Sequence, residues 1–367
     1  MNSIVKSVYI HIPFCHNICS YCDFCKIFYN EKIVNDYLDS LNREIIANYN
    51  GEVIDTIYIG GGTPSSLNIN QLNKLFEIIK IFKINKTYEF TFECNVDDIN
   101  DEIAKILYDN GVNRISVGVQ TFNRKLLNIL NRYHNKKEII KNINLLKKYF
   151  NNINVDFIYA IPGEKFSDVK NDIDSFLKLG INHISTYSFI LEPNTILGIN
   201  NKETISEEMD AKMYNYICSM LSNNGFKHYE ISNFSKDGYE SKHNLTYWNN
   251  LEYYGFGLGA SGYINDIRYT NTKSLKHYIN NSILHIEEHL LSKKEKMENE
   301  MILGLRKISG INKKDFYYKY GIDIYDVFNV DYLISKKLLF DNGENIYIPS
   351  EYLYVQNSIL INFLEVK

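Results

Sequence analysis

The chain has 367 residues, 45% of them apolar and 23% charged, with a formal net charge of −4. This is the balance of a globular protein with one large domain and an appendage, or two to three domains. It gives no global pull toward nucleic acid, and no apolar run approaches the roughly 18 residues of a membrane-spanning helix. The abundance of Asn, Lys, Ile and Tyr is read as compositional bias without functional content.

The chain runs through Val5 to Ile12 straight into a strand-like segment. It shows no apolar signal-peptide core, so the six cysteines read as cytosolic thiols and the protein as cytoplasmic. Tyr9-Ile-His-Ile-Pro13 is a short strand that empties into a loop with four cysteines. Helical spacing follows over 31–49 (Ile33, Tyr37, Leu41, Ile45). Thr56–Gly60 is a second strand ending in a glycine turn, with a helix over 69–82. Glu89–Cys94 is a third strand, and the helix over 99–109 stops at Asn110-Gly111. Arg114–Gln120, Asn154–Ile161 and His183–Phe189 are the fourth, fifth and sixth strands. Six strands joined by helical crossovers imply a parallel sheet, flat or curled into an open barrel, with its ligand beyond the strands' carboxyl ends. Polar or glycine-rich groups recur there: the cysteine loop, Gly60 to Thr63, Glu93, Gln120 and Asp156. The alternation stops near 195. The expected division is a β/α core over 1–200, a mixed extension over 201–290 and a small C-terminal unit over 291–367.

Cys15, Cys19 and Cys22 have the spacing C-x3-C-x2-C, with Tyr21 before the third. No second CxxC pair accompanies them, as structural zinc sites usually require. Three thiolates can hold three irons of a [4Fe–4S] cube and leave the fourth open to a small molecule. A zinc knuckle or a closed cluster using Cys25 is the competing reading. Cys94 and Cys218 read as packing residues. Gly60-Gly-Gly-Thr-Pro64 lets backbone approach a ligand, although a glycine turn alone is a weak signal. Glu93 and Asp156, in or at the ends of apolar strands, bind a ligand or cap a helix. Gln120 is a turn amide or a ligand group. Arg132 suits a carboxylate through a two-pronged hydrogen bond, or simply lies on a helix face.

These motifs together resemble the radical S-adenosylmethionine (SAM) superfamily. Tyr-Ile-His-Ile-Pro-Phe-Cys, Gly-Gly-Gly-Thr-Pro, Asn-Arg-Ile-Ser-Val-Gly-Val-Gln-Thr-Phe and Asp-Phe-Ile-Tyr-Ala-Ile-Pro-Gly narrow the resemblance to the oxygen-independent coproporphyrinogen III oxidase-like (HemN-like) family, over essentially the whole chain. The resemblance implies an α/β fold, an open partial (β/α)6 barrel with a small winged-helix-like C-terminal domain. It also implies a [4Fe–4S] cluster on Cys15, Cys19 and Cys22, and SAM contacts at Tyr9, Tyr21, Gly61, Gly62, Thr63, Glu93, Gln120, Arg132 and Asp156.

Three features point away from the oxidase. Only fourteen residues precede Cys15, position 24 is Phe where the oxidase loop continues as C-x-C, and His243-Asn-Leu-Thr-Tyr-Trp248 matches the H-N-x-x-Y-W motif of the HemW relatives, which are similar to haem-binding chaperones. Val96 and Ala160 are mild departures, the latter standing where the family often has Gly. The expectation is a haem chaperone. His243, beside an aromatic wall of Tyr247, Trp248 and Tyr253, reads either as its haem ligand or as an ordinary core or surface histidine; in the first case ligation weakens as pH falls through about 6.5. The partners implied are haem and an unknown haem-accepting protein, with a membrane-associated respiratory protein as one class. Homodimerisation and peripheral membrane association are left open. The alternatives are radical SAM decarboxylation of coproporphyrinogen III and a radical SAM enzyme acting on RNA. Against the latter, no RNA-binding appendage is recognisable.

Overall fold

The computed structural model describes residues 5–200, 203–281 and 284–364. Strand β1 (Ser7–Ile12) leads into the cysteine loop. The loop's ends are pinned by a two-residue parallel pair, β2 (Phe14–Cys15) with β3 (Ile27–Phe28). There follow α1 (Glu31–Asn48), β4 (Val53–Gly61), α2 (Ile69–Ile79), β5 (Lys83–Asn95), α3 (Asp101–Asp109), β6 (Arg114–Gln120), α4 (Arg124–Ile129), α5 (Lys136–Leu146), β7 (Asn152–Tyr159), α6 (Phe166–Lys178) and β8 (His183–Ser188). The abundant asparagine has a local use. Asn30, Asn68, Asn100, Asn123 and Asn135 each cap one of α1 to α5, the side-chain oxygen accepting a first-turn amide. Helix α2 ends three residues earlier than the periodicity predicts, and β5 begins at Lys83 rather than near 89, because its start pairs with Val53 and Ile54 of β4.

β1, β4, β5, β6, β7 and β8 lie side by side in chain order, all parallel. An order without reversal curls the sheet one way, as in barrels, instead of producing the switch point of a doubly wound sheet. The curl stays open. One edge is β11 (Tyr254–Phe256), parallel to β1; the other is β9 (Lys227–Glu230), reached through β10 (Asn233–Ser235), antiparallel to β8. Segment 201–290 therefore extends both edges of the main sheet. The expected boundary at 200–201 abuts residues 201–202, which lie outside the described residues, as do 282–283.

The strands alternate, with irregularities in register between Ile54 and Thr56 and between Gly118 and Gln120. Their outward residues are apolar (Val8, Ile10, Ile57, Ile59, Phe90, Phe92, Ile115, Val117, Val155, Phe157) and lie buried under the helices. Their inward residues are polar and equally buried: Ser7, His11, Thr56, Glu89, Thr91, Arg114, Ser116, Asn154, His183, Ser185. The barrel interior is thus a polar chamber inside an apolar shell.

The rest of the chain covers this chamber. After α7 (Ile196–Ile199) and α8 (Glu207–Asn223), helix α9 (Lys242–Trp248) lies against the amino ends of the strands. β12 (Ser261–Ile264), β13 (Ile267–Asn271) and β14 (His285–Leu290) form a separate antiparallel sheet, with α10 (Leu275–Ile279) between its last two strands. α11 (Lys293–Gly304) opens the C-terminal unit. There β15 (Ile311–Asn312), β16 (Phe340–Asp341) and β17 (Asn345–Tyr347) form a small sheet. Met301, Leu305, Phe316, Leu333, Ile346 and Phe363 make the buried core of this unit. Among the described residues no helix is long and apolar enough to cross a membrane.

Candidate functional site: a cavity under the cysteine loop

A cavity of about 420 Å³ opens at the carboxyl ends of the parallel strands. Cys15, Cys19, Cys22 and Tyr21 line it from the loop after β1, and Gly61, Gly62 and Thr63 from the turn after β4. Glu93 comes from β5, Gln120 from the end of β6, Asp156 from β7, and Arg132 from the turn after α4. With Tyr187 and Ser188 of β8, six strands therefore contribute to one chamber. Tyr9 is not among the lining residues. Its hydroxyl meets His11 Nδ1 at 2.9 Å, and its ring lies 6.1 Å from that of Tyr58, which does line the cavity.

The glycines are required by close approach. A Cβ on Gly62 would stand 2.6 Å from the Pro13 carbonyl carbon and 3.0 Å from Cys15 Sγ. Gly61 has φ +120°, and its amide donates to Glu93 Oε2 at 3.1 Å. Thr63 Oγ1 donates to Cys15 Sγ at 3.4 Å. Arg132 lies on no helix face. Asn131, at φ +58°, ends the α4 turn in the left-handed region, which asparagine tolerates, and Arg132 follows it into the cavity. Its Nη2 donates to Tyr21 Oη at 3.0 Å and its Nη1 to Asn95 Oδ1. Asn131 Nδ2 donates to the Ile18 carbonyl at 2.8 Å and Ser20 Oγ to that of Ile129 at 2.6 Å, so the same turn anchors the cysteine loop. Gln120 also stands at positive φ, +67°, a strain that often marks functional positions.

Burial governs the electrostatics. It pushes the Glu93 carboxyl up to about 7, and Asp156 upward, against hydrogen bonds from Tyr58 to Glu93 at 2.7 Å and from Asn154 to Asp156 at 2.9 Å. Burial opposes the Arg132 charge, but Tyr21 and Cys19 hold its pKa above the ordinary value. Burial pushes the Cys15 thiol up to about 11 and Cys22 upward, so metal binding here would release protons.

The residues fit an iron–sulfur cluster with a small charged ligand. The donors are three thiols of one short loop facing one cavity. Arg132 Nε is buried without a partner, and the two carboxyls whose pKa burial raises, Glu93 and Asp156, face the same space, where a cationic group would favour their charged forms. Among the described residues no three His, Cys, Asp or Glu side chains converge as they would on one metal ion. The thiolates of a cube bind different irons and need no such convergence. Cys25 is not in the lining. It packs against Gly259, where an added Cβ would stand 2.7 Å from its own.

Several lining residues went unread in the sequence: Tyr58, Asn95, Ser116, Gly118 and Tyr187. Period two would have found most of them. Asn95 is two residues from Glu93, and Ser116 and Gly118 are four and two before Gln120.

His243 lies elsewhere, at the amino end of the chamber. Its side chain is fully buried; Nδ1 pairs with Thr56 Oγ1 and Nε2 with Tyr247 Oη, each at 2.8 Å. Burial, helped by Arg114, pushes its pKa down to about 3. Both ring nitrogens are hydrogen-bonded in this structure, so ligation through His243 would require one of these bonds to break, and with a pKa near 3 its ring does not titrate near the expected 6.5. Tyr247 packs edge-on against His243 and Tyr253. Glu89 accepts the Lys242 and His243 amides at 3.0 Å. The motif closes the floor of the barrel.

The chain matches the radical SAM superfamily model over residues 9–176 and the HemN C-terminal domain model over 291–351. A solved structure of coproporphyrinogen III oxidase (HemN) from Escherichia coli superposes with a TM-score of 0.85 at 20% identity, covering 99% of this chain and 90% of that one, and shows the shared fold. Among curated relatives, heme chaperone HemW of Lactococcus lactis is 42% identical, covering 98% of this chain and 97% of its own. Heme chaperone HemW of Bacillus subtilis is 40% identical over 98% and 99%. The chain belongs to the radical SAM superfamily and, within it, to the HemW family.

Proposed function

We propose that this protein binds haem and hands it to an acceptor protein, and that it holds a [4Fe–4S] cluster with SAM in the strand-end cavity. The observation that carries the cargo reading is similarity, over nearly the whole length of both chains, to relatives named heme chaperone HemW. Cys15, Cys19 and Cys22 would hold the cluster. When bound, cluster and SAM supply one-electron chemistry at an iron the protein leaves open. The Gly61–Thr63 backbone lets the methionyl part approach. Glu93 and Asp156 would offer acceptors to its amino and hydroxyl groups, and Arg132, steadied by Tyr21 and Asn95, would donate to its carboxylate. Gln120 completes the wall opposite the loop.

The test is anaerobic reconstitution followed, on one sample, by haem titration, SAM binding read from the EPR of the reduced cluster, and a coproporphyrinogen turnover assay. The expected result is haem binding and a SAM-perturbed spectrum without porphyrinogen turnover. A protein that ignores haem yet produces protoporphyrinogen is the decarboxylase instead. An EPR spectrum unmoved by saturating SAM removes the SAM assignment.

A further inference from the structure

With His243 engaged in the floor, the haem needs another seat. A second cavity, of about 910 Å³, lies between the β9 edge of the sheet and the C-terminal unit. Its size is at the upper end of what organic ligands use, and a seam between units is a common place for one. Its apolar walls are Phe226, Leu245 and Ile308, contributed by three separated stretches of chain.

His228, half-buried on β9, also lines it. Its Nε2 meets the Ile231 carbonyl at 3.2 Å, and the Glu230 backbone is a second hydrogen-bond partner of the ring; a carbonyl only accepts, so in the neutral ring Nε2 carries the proton and Nδ1 the lone pair. The ring lies flat on Phe234, with centroids 4.1 Å apart and planes 10° from parallel. Burial pushes its pKa down to about 4, so the imidazole is neutral at physiological pH. A neutral imidazole whose other nitrogen is held by a backbone carbonyl is the usual state of a metal-ligating histidine. Lys227, Lys242 and Lys307 stand around the same cavity against one carboxylate, Glu240. Lys227 pairs with Asp237, Lys242 Nζ reaches the Thr87 carbonyl at 3.3 Å, and Lys307 Nζ donates to Asn249 Oδ1. The latter two meet neutral acceptors that a carboxylate can replace.

We propose that this groove seats the haem, with His228 as axial ligand to the iron and Lys242 and Lys307 receiving the propionates. The proposal rests on the haem-binding reading above. It predicts a site at the end of the barrel opposite the cluster cavity. Tyr229, which lines the groove, connects the two by hydrogen bonds through His183 and Asn154 to Asp156.

The experiment is titration of the full chain with ferric haemin, followed by the Soret band and by EPR. Wild type is compared with His228→Ala, Leu245→Glu and His243→Gln, with far-UV circular dichroism as the folding control. Wild type is expected to bind one haemin per chain with an imidazole-ligated spectrum. His228→Ala should lose that spectrum and about tenfold or more in affinity, with free imidazole restoring the spectrum. Leu245→Glu should weaken binding by setting a carboxylate in the groove, while His243→Gln keeps it. If wild type binds haemin and folded His228→Ala and Leu245→Glu bind it identically, the seat is elsewhere and the proposal fails while the haem reading stands. If wild type binds no haemin, the haem reading itself fails.

Discussion

Ala160 stands at φ +60°, just past the end of β7, where an L-residue with a Cβ is strained and glycine is not. Ala160→Gly should stabilise the protein by about 0.5–1 kcal/mol, the relief of strain outweighing the extra freedom given to the unfolded chain. Urea unfolding of both proteins checks it, and an unchanged or lowered midpoint contradicts it. Four residues on, Glu164 accepts the Ile161 amide at 3.1 Å through Oε2, while its buried Oε1 has no partner. Burial pushes this carboxyl up to about 9. The folded state therefore holds a proton that the unfolded state releases near the ordinary carboxyl value. Stability from this group is complete below pH ~4.5 and is lost as pH rises through about 9, at up to about 1.4 kcal/mol per unit. Glu164→Gln should flatten the decline in stability between pH 7 and 9. Denaturant midpoints at several pH values read it, and parallel profiles would refute it.

The cysteine loop is an element whose two ends and middle are tied separately: the β2–β3 pair closes its ends, and Asn131 and the Ile129 carbonyl hold its centre. Cys15, Cys19 and Cys22 face the cavity and Cys25 does not. Alanine at any of the first three should abolish the [4Fe–4S] absorbance after anaerobic reconstitution, whereas Cys25→Ala should keep it. Equal loss at Cys25 would make the site a closed four-cysteine cluster. Helix α9 is held at its start by Glu89, buried to 5% exposure, whose oxygens accept the Lys242 and His243 amides at 3.0 Å. Glu89→Gln keeps the shape but turns one acceptor into a donor beside those amides. A loss of about 1–3 kcal/mol is expected, measured by thermal or urea unfolding. A loss below experimental error would mean that α9 does not depend on its cap.

At the scale of the molecule, the core ending near residue 200 is an incomplete object. Without β11 beside β1, β10 beside β8 and α9 across the floor, the polar chamber opens to water and two sheet edges lie bare. A fragment of residues 1–200 should therefore lack a cooperative thermal transition, whereas the full chain unfolds cooperatively. Differential scanning calorimetry decides, and a sharp transition in the fragment would show that the barrel stands alone.

The order of strands and helices and the three-cysteine loop were legible in the sequence through local chemistry: period, cysteine spacing, glycine turns and polar residues at strand ends. The set Gly61, Gly62, Thr63, Glu93, Gln120, Arg132 and Asp156 was named together by the family resemblance, the residues alone leaving Gln120 and Arg132 open, and the fold brings all seven to one cavity. Three things were decided only by tertiary structure. Segment 201–290 joins the sheet on both edges because strand pairing is non-local, and no signal within a three-residue strand such as Tyr254–Phe256 names its partner. Tyr9 drops beneath the cavity wall because the curl of the sheet sets which inward side chains reach the ligand level. His243 and its aromatic neighbours resemble a ligand site in one dimension. In three they are a floor, because the free imidazole nitrogen a metal needs is taken by Thr56 and Tyr247, residues 187 positions and one helical turn away.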